Sequence, residues 1–405
     1  MYRRTKKWIR GNIKLNNPER FTGSFEISNE KLEKTIKTAT EKLYSVAERL
    51  GFDNFASSSA GNEKIYVAHD NDNWTHGMYT GCFLLAYELT GDKKFLDVAS
   101  AQMASYQKRM DEKIKLDDHD VGFVYVPSCI AYYKVTGDKS IHNLAIAAAE
   151  HLYDYSFSKK GGFVIRSAWH LQDYDANRTM MDTMMNIPLF YWAWQETGDQ
   201  KFYDAANSQV DITERLLMRA DGSSYHHYQF EPGTHAPVKG VTFQGHRDES
   251  TWSRGHAWGI SGFPIAYSYN NDPNLLLLHR DAVYYMLDHL PEDFVPYWDY
   301  DFTSGDEPRD SSAAVISVCG LLEACKYLPD SAPEKAIYKT AAHKMLGSII
   351  DNYAVDIGEP YDGLVAHVAG AVPMNLGLDM CATYGDFFYL EALLRLTKPD
   401  WKRYW

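Results

Sequence analysis

Three copies of one short phrase do most to limit how this chain folds. Helix-patterned segments end at Thr90-Gly91-Asp92, Thr136-Gly137-Asp138 and Thr197-Gly198-Asp199. A glycine just past an amphipathic run is the usual left-handed helix stop, and the Asp after it opens the next helix. Looser versions recur at Asn270-Asn271-Asp272-Pro273, at Leu328-Pro329-Asp330 and at Thr397-Lys398-Pro399-Asp400. Each marks a helix–turn–helix, and six such hairpins fit 405 residues. No Pro/Gly/Ser-rich linker divides them, and short apolar stretches such as 162–166 read as loop. Six helix pairs closing into an inner and an outer ring give an all-α (α/α)6 toroid, whose annular core absorbs the length without splitting. The expectation is one domain over residues 1–405, with residues 1–25 as an extension packed on the barrel.

Composition narrows the partners. Forty-one Lys and Arg against 54 Asp and Glu leave a net charge of −13, which opposes a phosphate backbone, so nucleic acid is not expected. The aromatic content (10 Trp, 29 Tyr, 18 Phe) suits sugar binding, where ring faces stack on C–H groups, although a Tyr-rich core accounts for much of it. Five scattered cysteines without a C-x-x-C pair fit reduced, buried thiols. The basic N-terminus has no apolar stretch of signal-peptide length, and no run reaches a membrane span. The expected compartment is the cytoplasm, with no membrane partner.

The phase of the repeats locates the chemistry. Trp74, Asp120 and Arg254 each lie 16 residues before their turns, and Asp182 lies 15 before its own. At 1.5 Å per residue this is a helix of about 24 Å, so all four sit at helix starts, which ring closure gathers at one mouth. An Asp at a helix start is also the ordinary N-cap residue. Against that reading, Asp182 is flanked by Met180, Met181, Met184 and Met185, a setting no cap needs. Asp120 follows His119 and precedes Gly122, where backbone can approach a ligand. A helix N-terminus favours the Asp182 carboxylate, whereas apolar burial and a second carboxylate favour the acid, and the sequence leaves that balance open.

The stretch 244–258, QGHRDESTWSRGHAW, is dense in groups that suit a sugar acid. Arg254 can fork onto a carboxylate, Gln244 donates and accepts, and Trp252 and Trp258 offer flat apolar faces. It reads equally as a solvated loop with two packed tryptophans. His226 and His227 add possible donors. Their adjacency does not suit one metal on a helix face, and no H-E-x-x-H, Walker loop, G-x-S-x-G or dinucleotide motif is present. No metal and no cofactor are expected.

Together these motifs resemble the unsaturated glucuronyl hydrolases of glycoside hydrolase family 88. The likeness runs from Asn73 to the C-terminal GDFFYLEALLRL through NWTHGMYTG, HDVGF, the Asp182 segment ending at Asn186, SSYHHYQF, the 244–258 block, PEDFVPYWD and RDSSA. The resemblance implies an (α/α)6 barrel acting on lyase-generated oligosaccharides that end in a 4-deoxy-L-threo-hex-4-enuronosyl unit. It implies hydration of the C4=C5 bond, with Asp182 as general acid/base and Asp120 as second carboxylate. By matching motif, Trp74, Trp169, His226, Gln244, Trp252, Arg254 and Trp258 line the sugar site. The chain departs from the family at His76, Tyr79, His256 and Tyr384, which leaves subsite preference open. Members that favour sulfated disaccharides carry Ser-x-x-Ser-x-Lys near the C-terminus; this chain has Ala371, Met374 and Leu376 there, so no strong sulfate preference is expected. Rival readings are a rhamnogalacturonyl hydrolase of the same fold, an inverting endo-glycosidase on the same barrel, and a non-catalytic glycan-binding protein.

Overall fold

The computed structural model describes residues 11–61, 64–166 and 177–405. In chain order its α-helices are α1 (Asn29–Leu50), α2 (His76–Thr90), α3 (Lys93–Asp111), α4 (Val121–Tyr125), α5 (Ala131–Thr136), α6 (Lys139–His151) and α7 (Pro188–Thr197). Then follow α8 (Gln200–Ile212), α9 (Ser253–Asn270), α10 (Pro273–His289), α11 (Ser311–Cys325), α12 (Pro333–Asn352) and α13 (Thr383–Thr397). A π-helical turn, Val126–Ile130, joins α4 to α5, so the two run on as one rod.

The rod, with α2, α7, α9, α11 and α13, forms the inner ring, and α13 packs on α2 to close it. Helices α3, α6, α8, α10, α12 and α1 lie outside. Inner helices are apolar nearly all round, as helices enclosed on every side must be. Helix α13 is buried without a break from Thr383 to Arg395.

The Thr-Gly-Asp phrase works as a unit. Gly91, Gly137 and Gly198 take left-handed φ values of 73°, 78° and 74°. The Thr hydroxyl donates back to the carbonyl four residues earlier and accepts from the Asp backbone N–H. The Asp carboxylate then caps the outer helix by accepting from the backbone N–H two residues on. Asn271 (φ 55°) and Asp272 repeat the device without glycine.

Two expectations need correcting. Thr397-Lys398-Pro399-Asp400 opens no hairpin: the sixth outer helix is α1, supplied from the N-terminal side, because a closed ring can be completed by its first helix as well as its last. The stretch 162–166 holds a strand, Phe163–Val164, paired with Phe157–Ser158. A three-stranded antiparallel sheet also forms from Arg178–Met180, His227–Phe230 and Pro237–Val241, at the end of the barrel that carries the inner-helix starts. Strands this short leave little alternation to read, and the pairing of Arg178–Met180 with His227–Phe230 also joins segments about 50 residues apart in the chain.

The last residues fill the opposite end. Arg395 pairs with Glu323 (2.5 Å) and Glu391 (2.8 Å), Trp405 Nε1 donates to Glu391 (2.8 Å), and the Trp405 ring stacks on Phe388 with its edge toward Phe123. Near the start of the described residues, Asn16 donates to Asp288 (2.8 Å) and Arg20 to the carbonyls of Leu290 and Pro291. The five cysteines are buried and free. Among the described residues no helix is long and apolar enough to cross a membrane.

Candidate active site

A cavity of about 380 Å³ opens where the inner helices start, and Trp74, Asp120, Asp182 and Gln244 all line it. Four residues placed by repeat phase and motif thus converge on one wall system, in the size range of small-ligand sites. The Asp120 and Asp182 side chains are 23% and 13% exposed, so both acids are reachable without being bathed in solvent.

Their placement follows from local structure. Asp120 is at the N-cap position of α4 yet makes no capping hydrogen bond. Asp182 lies in the first turn of a 3-10 helix, Met181–Met185, and also caps nothing. The capping role belongs to Asn186: its Oδ1 accepts from Phe123 N–H at the start of α4 (2.7 Å), and its Nδ2 donates to the Asp182 carbonyl (3.2 Å). Gly122 makes this possible, because a Cβ there would lie 2.4 Å from the Cα and O of Asn186. The close approach that Gly122 permits is therefore to Asn186 rather than to a ligand, and it locks the two acid-bearing segments together.

The carboxyls differ in their partners. His119 bridges two acids, its Nδ1 against Asp118 and its Nε2 3.1 Å from Asp120 Oδ1. Burial works against the imidazolium, but the charges of Asp118 and Asp120 outweigh it and raise its pKa to about 10. Burial also opposes ionisation of Asp120, and with Asp118 and Asp182 nearby its pKa rises to about 7 against the pull of His119. Asp182 is pushed up to about 6 by burial, with Asp118 adding to it and His119, its own backbone N–H and Arg254 opposing. Its Oδ2 has no hydrogen-bond partner, and the nearest base, His226 Nε2, is 3.7 Å away. Burial, then Arg178 and Arg254, hold His226 neutral. On proton affinity alone Asp120 would keep its proton longer than Asp182. Contact geometry distinguishes them differently: the His119 cation lies 3.1 Å from Asp120 Oδ1 as an ion pair, whereas Asp182 Oδ2 has no partner and is the freer of the two to meet a substrate.

Asp118, His119 and Asp120 are also the one grouping among the described residues whose potential ligand atoms lie within 4.8 Å of one another. Both imidazole nitrogens face different carboxylates, so the geometry is an acid–imidazole–acid chain rather than three donors converging on a point.

Several expected wall residues sit one layer back. Arg254 has no free fork: Nη1 pairs with Asp310 (2.6 Å) and with the Ala369 carbonyl, and Nη2 donates to the Gly370 carbonyl (2.8 Å). Gln244 Nε2 donates to that Gly370 oxygen as well (3.2 Å), so both side chains hold the loop that brings Ala371 and Met374 to the rim. Trp252 is 3% exposed, packed against His226 and beneath the Arg254 guanidinium. Trp258 is 1% exposed, covered by Phe123 and Phe388. Neither tryptophan lines the cavity. Trp74 does, with one face stacked on Tyr384. Trp169 lies outside the described residues.

The sequence reading missed Phe123, Arg166, Arg178 and Phe243, which also line the cavity, and His227, read there only as a possible donor, lines it with them. Phe123 was within reach, three residues after Asp120. Arg178 and His227 arrive on the short sheet, where Met180 stands opposite His227, and no helical period signals them.

Comparison with known proteins agrees with this geometry. The sequence profile of Glycosyl Hydrolase Family 88 matches residues 52–374. The unsaturated chondroitin disaccharide hydrolase of Streptococcus agalactiae serotype III is 39% identical over 396 residues, covering 96% of this chain and 97% of its own. A crystal structure of unsaturated glucuronyl hydrolase from Streptococcus agalactiae superposes with a TM-score of 0.93 at 37% identity, over 99% of this chain and all of that one. A variant of the Streptococcus agalactiae enzyme complexed with dGlcA-GalNAc6S gives 0.86 at 36% identity, over 98% and 100%. The chain belongs to Glycosyl Hydrolase Family 88.

Proposed function

We propose that this chain is an unsaturated glucuronyl hydrolase that removes a 4-deoxy-L-threo-hex-4-enuronosyl unit from glycosaminoglycan-type disaccharides left by polysaccharide lyases. The observation that carries the reading is Asp182: a carboxyl in a cavity wall, kept protonated toward neutral pH by burial, with an oxygen bonded to nothing in the protein. A general acid working near pH 6 needs that environment.

The substrate's C4=C5 bond is an enol ether, electron-rich at C4. Asp182 transfers its proton to C4, and the π electrons form the new C–H bond, leaving an oxocarbenium ion at C5. Water adds at C5 while the Asp182 carboxylate takes the water's proton, so the acid is regenerated. The resulting hemiketal opens to the 5-keto form, the C1–O bond to the aglycone breaks, and the aglycone leaves as an alcohol. One water is consumed, and no covalent sugar–enzyme bond is needed.

Asp120, paired with the His119 cation, supports the positive charge at C5 and the sugar hydroxyls. Trp74 and Gln244 line the sugar, His226 backs Asp182, and Arg254, Trp252 and Trp258 hold the walls from behind. The aglycone side is bounded by Ala371 and Met374, which offer no hydroxyl or ammonium to a sulfate. Similar kcat/KM on unsulfated and 6-sulfated chondroitin disaccharides is expected; a strong preference for the sulfated one would remove that part of the reading. The whole chain is taken as one catalytic domain, and five unpaired thiols favour the cytoplasm. The test is incubation with a panel of lyase-generated disaccharides, following ultraviolet absorbance of the conjugated enuronate. Loss of absorbance on glycosaminoglycan-derived members is expected, and no loss on any member would end the proposal.

A further inference from the structure

We propose that His227 is a substrate-binding residue, its imidazole reserved for hydroxyl groups of the bound sugar; this rests on the function proposed above. His227 lines the cavity that holds Asp182, is 1% exposed, and has no hydrogen-bond partner at either ring nitrogen. Among the described residues no other buried imidazole leaves both nitrogens unbonded. His256 shows what a structural histidine does here: its Nδ1 meets Ser224 Oγ (2.9 Å) and its Nε2 the Ala282 carbonyl (2.9 Å).

A buried polar group without a partner is destabilising, so it persists where something other than the fold maintains it. Accidental mobility does not explain it, because the backbone is fixed. His227 begins the central strand of the sheet, paired to Met180 on one side and Val241 on the other. The other unbonded atoms nearby, Asp182 Oδ2 and His226 Nε2, face the same reacting region.

The charge state selects the ligand group. Burial, then His226, Arg178, His119 and Arg166, hold His227 neutral. A neutral imidazole offers one N–H and one lone pair. A hydroxyl donates and accepts in the same way, whereas a carboxylate or sulfate only accepts. Phe243, with its ring 5.7 Å away, adds an apolar face beside the polar one, as a sugar ring requires.

The test uses His227→Leu and His227→Asn, with the unsulfated chondroitin-derived unsaturated disaccharide as probe. In His227→Leu, KM rises about tenfold with kcat within about twofold, since a ground-state contact is lost. The urea midpoint of that variant stays level or rises, because an unsatisfied polar group has been removed. His227→Asn, which still donates and accepts, recovers most of the KM. An unchanged KM in His227→Leu, or a lower midpoint with kcat and KM disturbed together, overturns the proposal while leaving the functional reading intact. Failure of the wild-type protein to consume the disaccharide removes both.

Discussion

Gly122→Ala tests whether one backbone contact sets the spacing of the two acids. The new Cβ would lie 2.4 Å from the Cα and carbonyl oxygen of Asn186, where ordinary contact begins at 3.4 Å. The obstacle is backbone, so no side chain can swing away. The start of α4, carrying Asp120, and the turn carrying Asp182 must separate by about 1 Å, at a cost of about 1–3 kcal/mol for overpacking. The same movement stretches the hydrogen bonds of Asn186 to Phe123 N–H and to the Asp182 carbonyl. A misplacement of about 1 Å between reacting groups lowers rates about a hundredfold. Initial rates of absorbance loss on the unsaturated disaccharide, measured beside urea unfolding, are therefore expected to show kcat down by about that factor in a folded protein. Gly358→Ala, where a Cβ meets nothing within 4 Å, is the silent control. A Gly122→Ala enzyme with kcat within about twofold of wild type would refute the idea that this contact positions the acids.

Other outcomes follow from the same site. Asp182 titrates near 6 when folded against an ordinary 3.8, so its stabilising protonation is complete below about pH 3.8 and disappears as pH rises through about 6. Above that the buried carboxylate costs about 3 kcal/mol, and Asp182→Asn should unfold at higher urea than wild type at pH 8; equal midpoints would contradict burial as the cause. For the same reason kcat/KM should fall as pH rises beyond about 6, and an alkaline limb several units higher would argue against Asp182 as the acid. Arg254→Ala leaves Asp310 buried and unpaired, with an expected loss of about 3–5 kcal/mol in unfolding free energy. It also raises KM, because the loop at Ala369 and Gly370 loses its anchor; a lysine there should not rescue it, having no fork.

Much of the barrel is legible because Thr-Gly-Asp is local chemistry. A left-handed glycine and an Asp cap act within a few residues, so their pattern survives in the sequence. Asp120 and Asp182 were legible by their phase against those turns, and the methionines around Asp182 announced its burial. What escaped reading depends on distant partners. That α1 closes the ring follows from where α13 ends, and the sheet follows from pairing across chain separations that strands of three to five residues do not advertise. Depth is equally hidden: nothing in STWSRGHAW separates a tryptophan facing the cavity from Trp258 lying behind Phe123. Nor does the sequence reveal that the Arg254 fork is already filled by Asp310 and two carbonyls.

Protonation of an alkene carbon and attack on the glycosidic bond place the oxygen of water on different carbons, and oxygen labelling separates the two. In water enriched in oxygen-18, short reactions with the unsaturated disaccharide should place the label on C5 of the released sugar, in step with loss of enuronate absorbance, and Asp182→Asn should do neither. Label on C1 of a product that still absorbs would mean that the glycosidic bond is cut directly, contrary to the role assigned to Asp182.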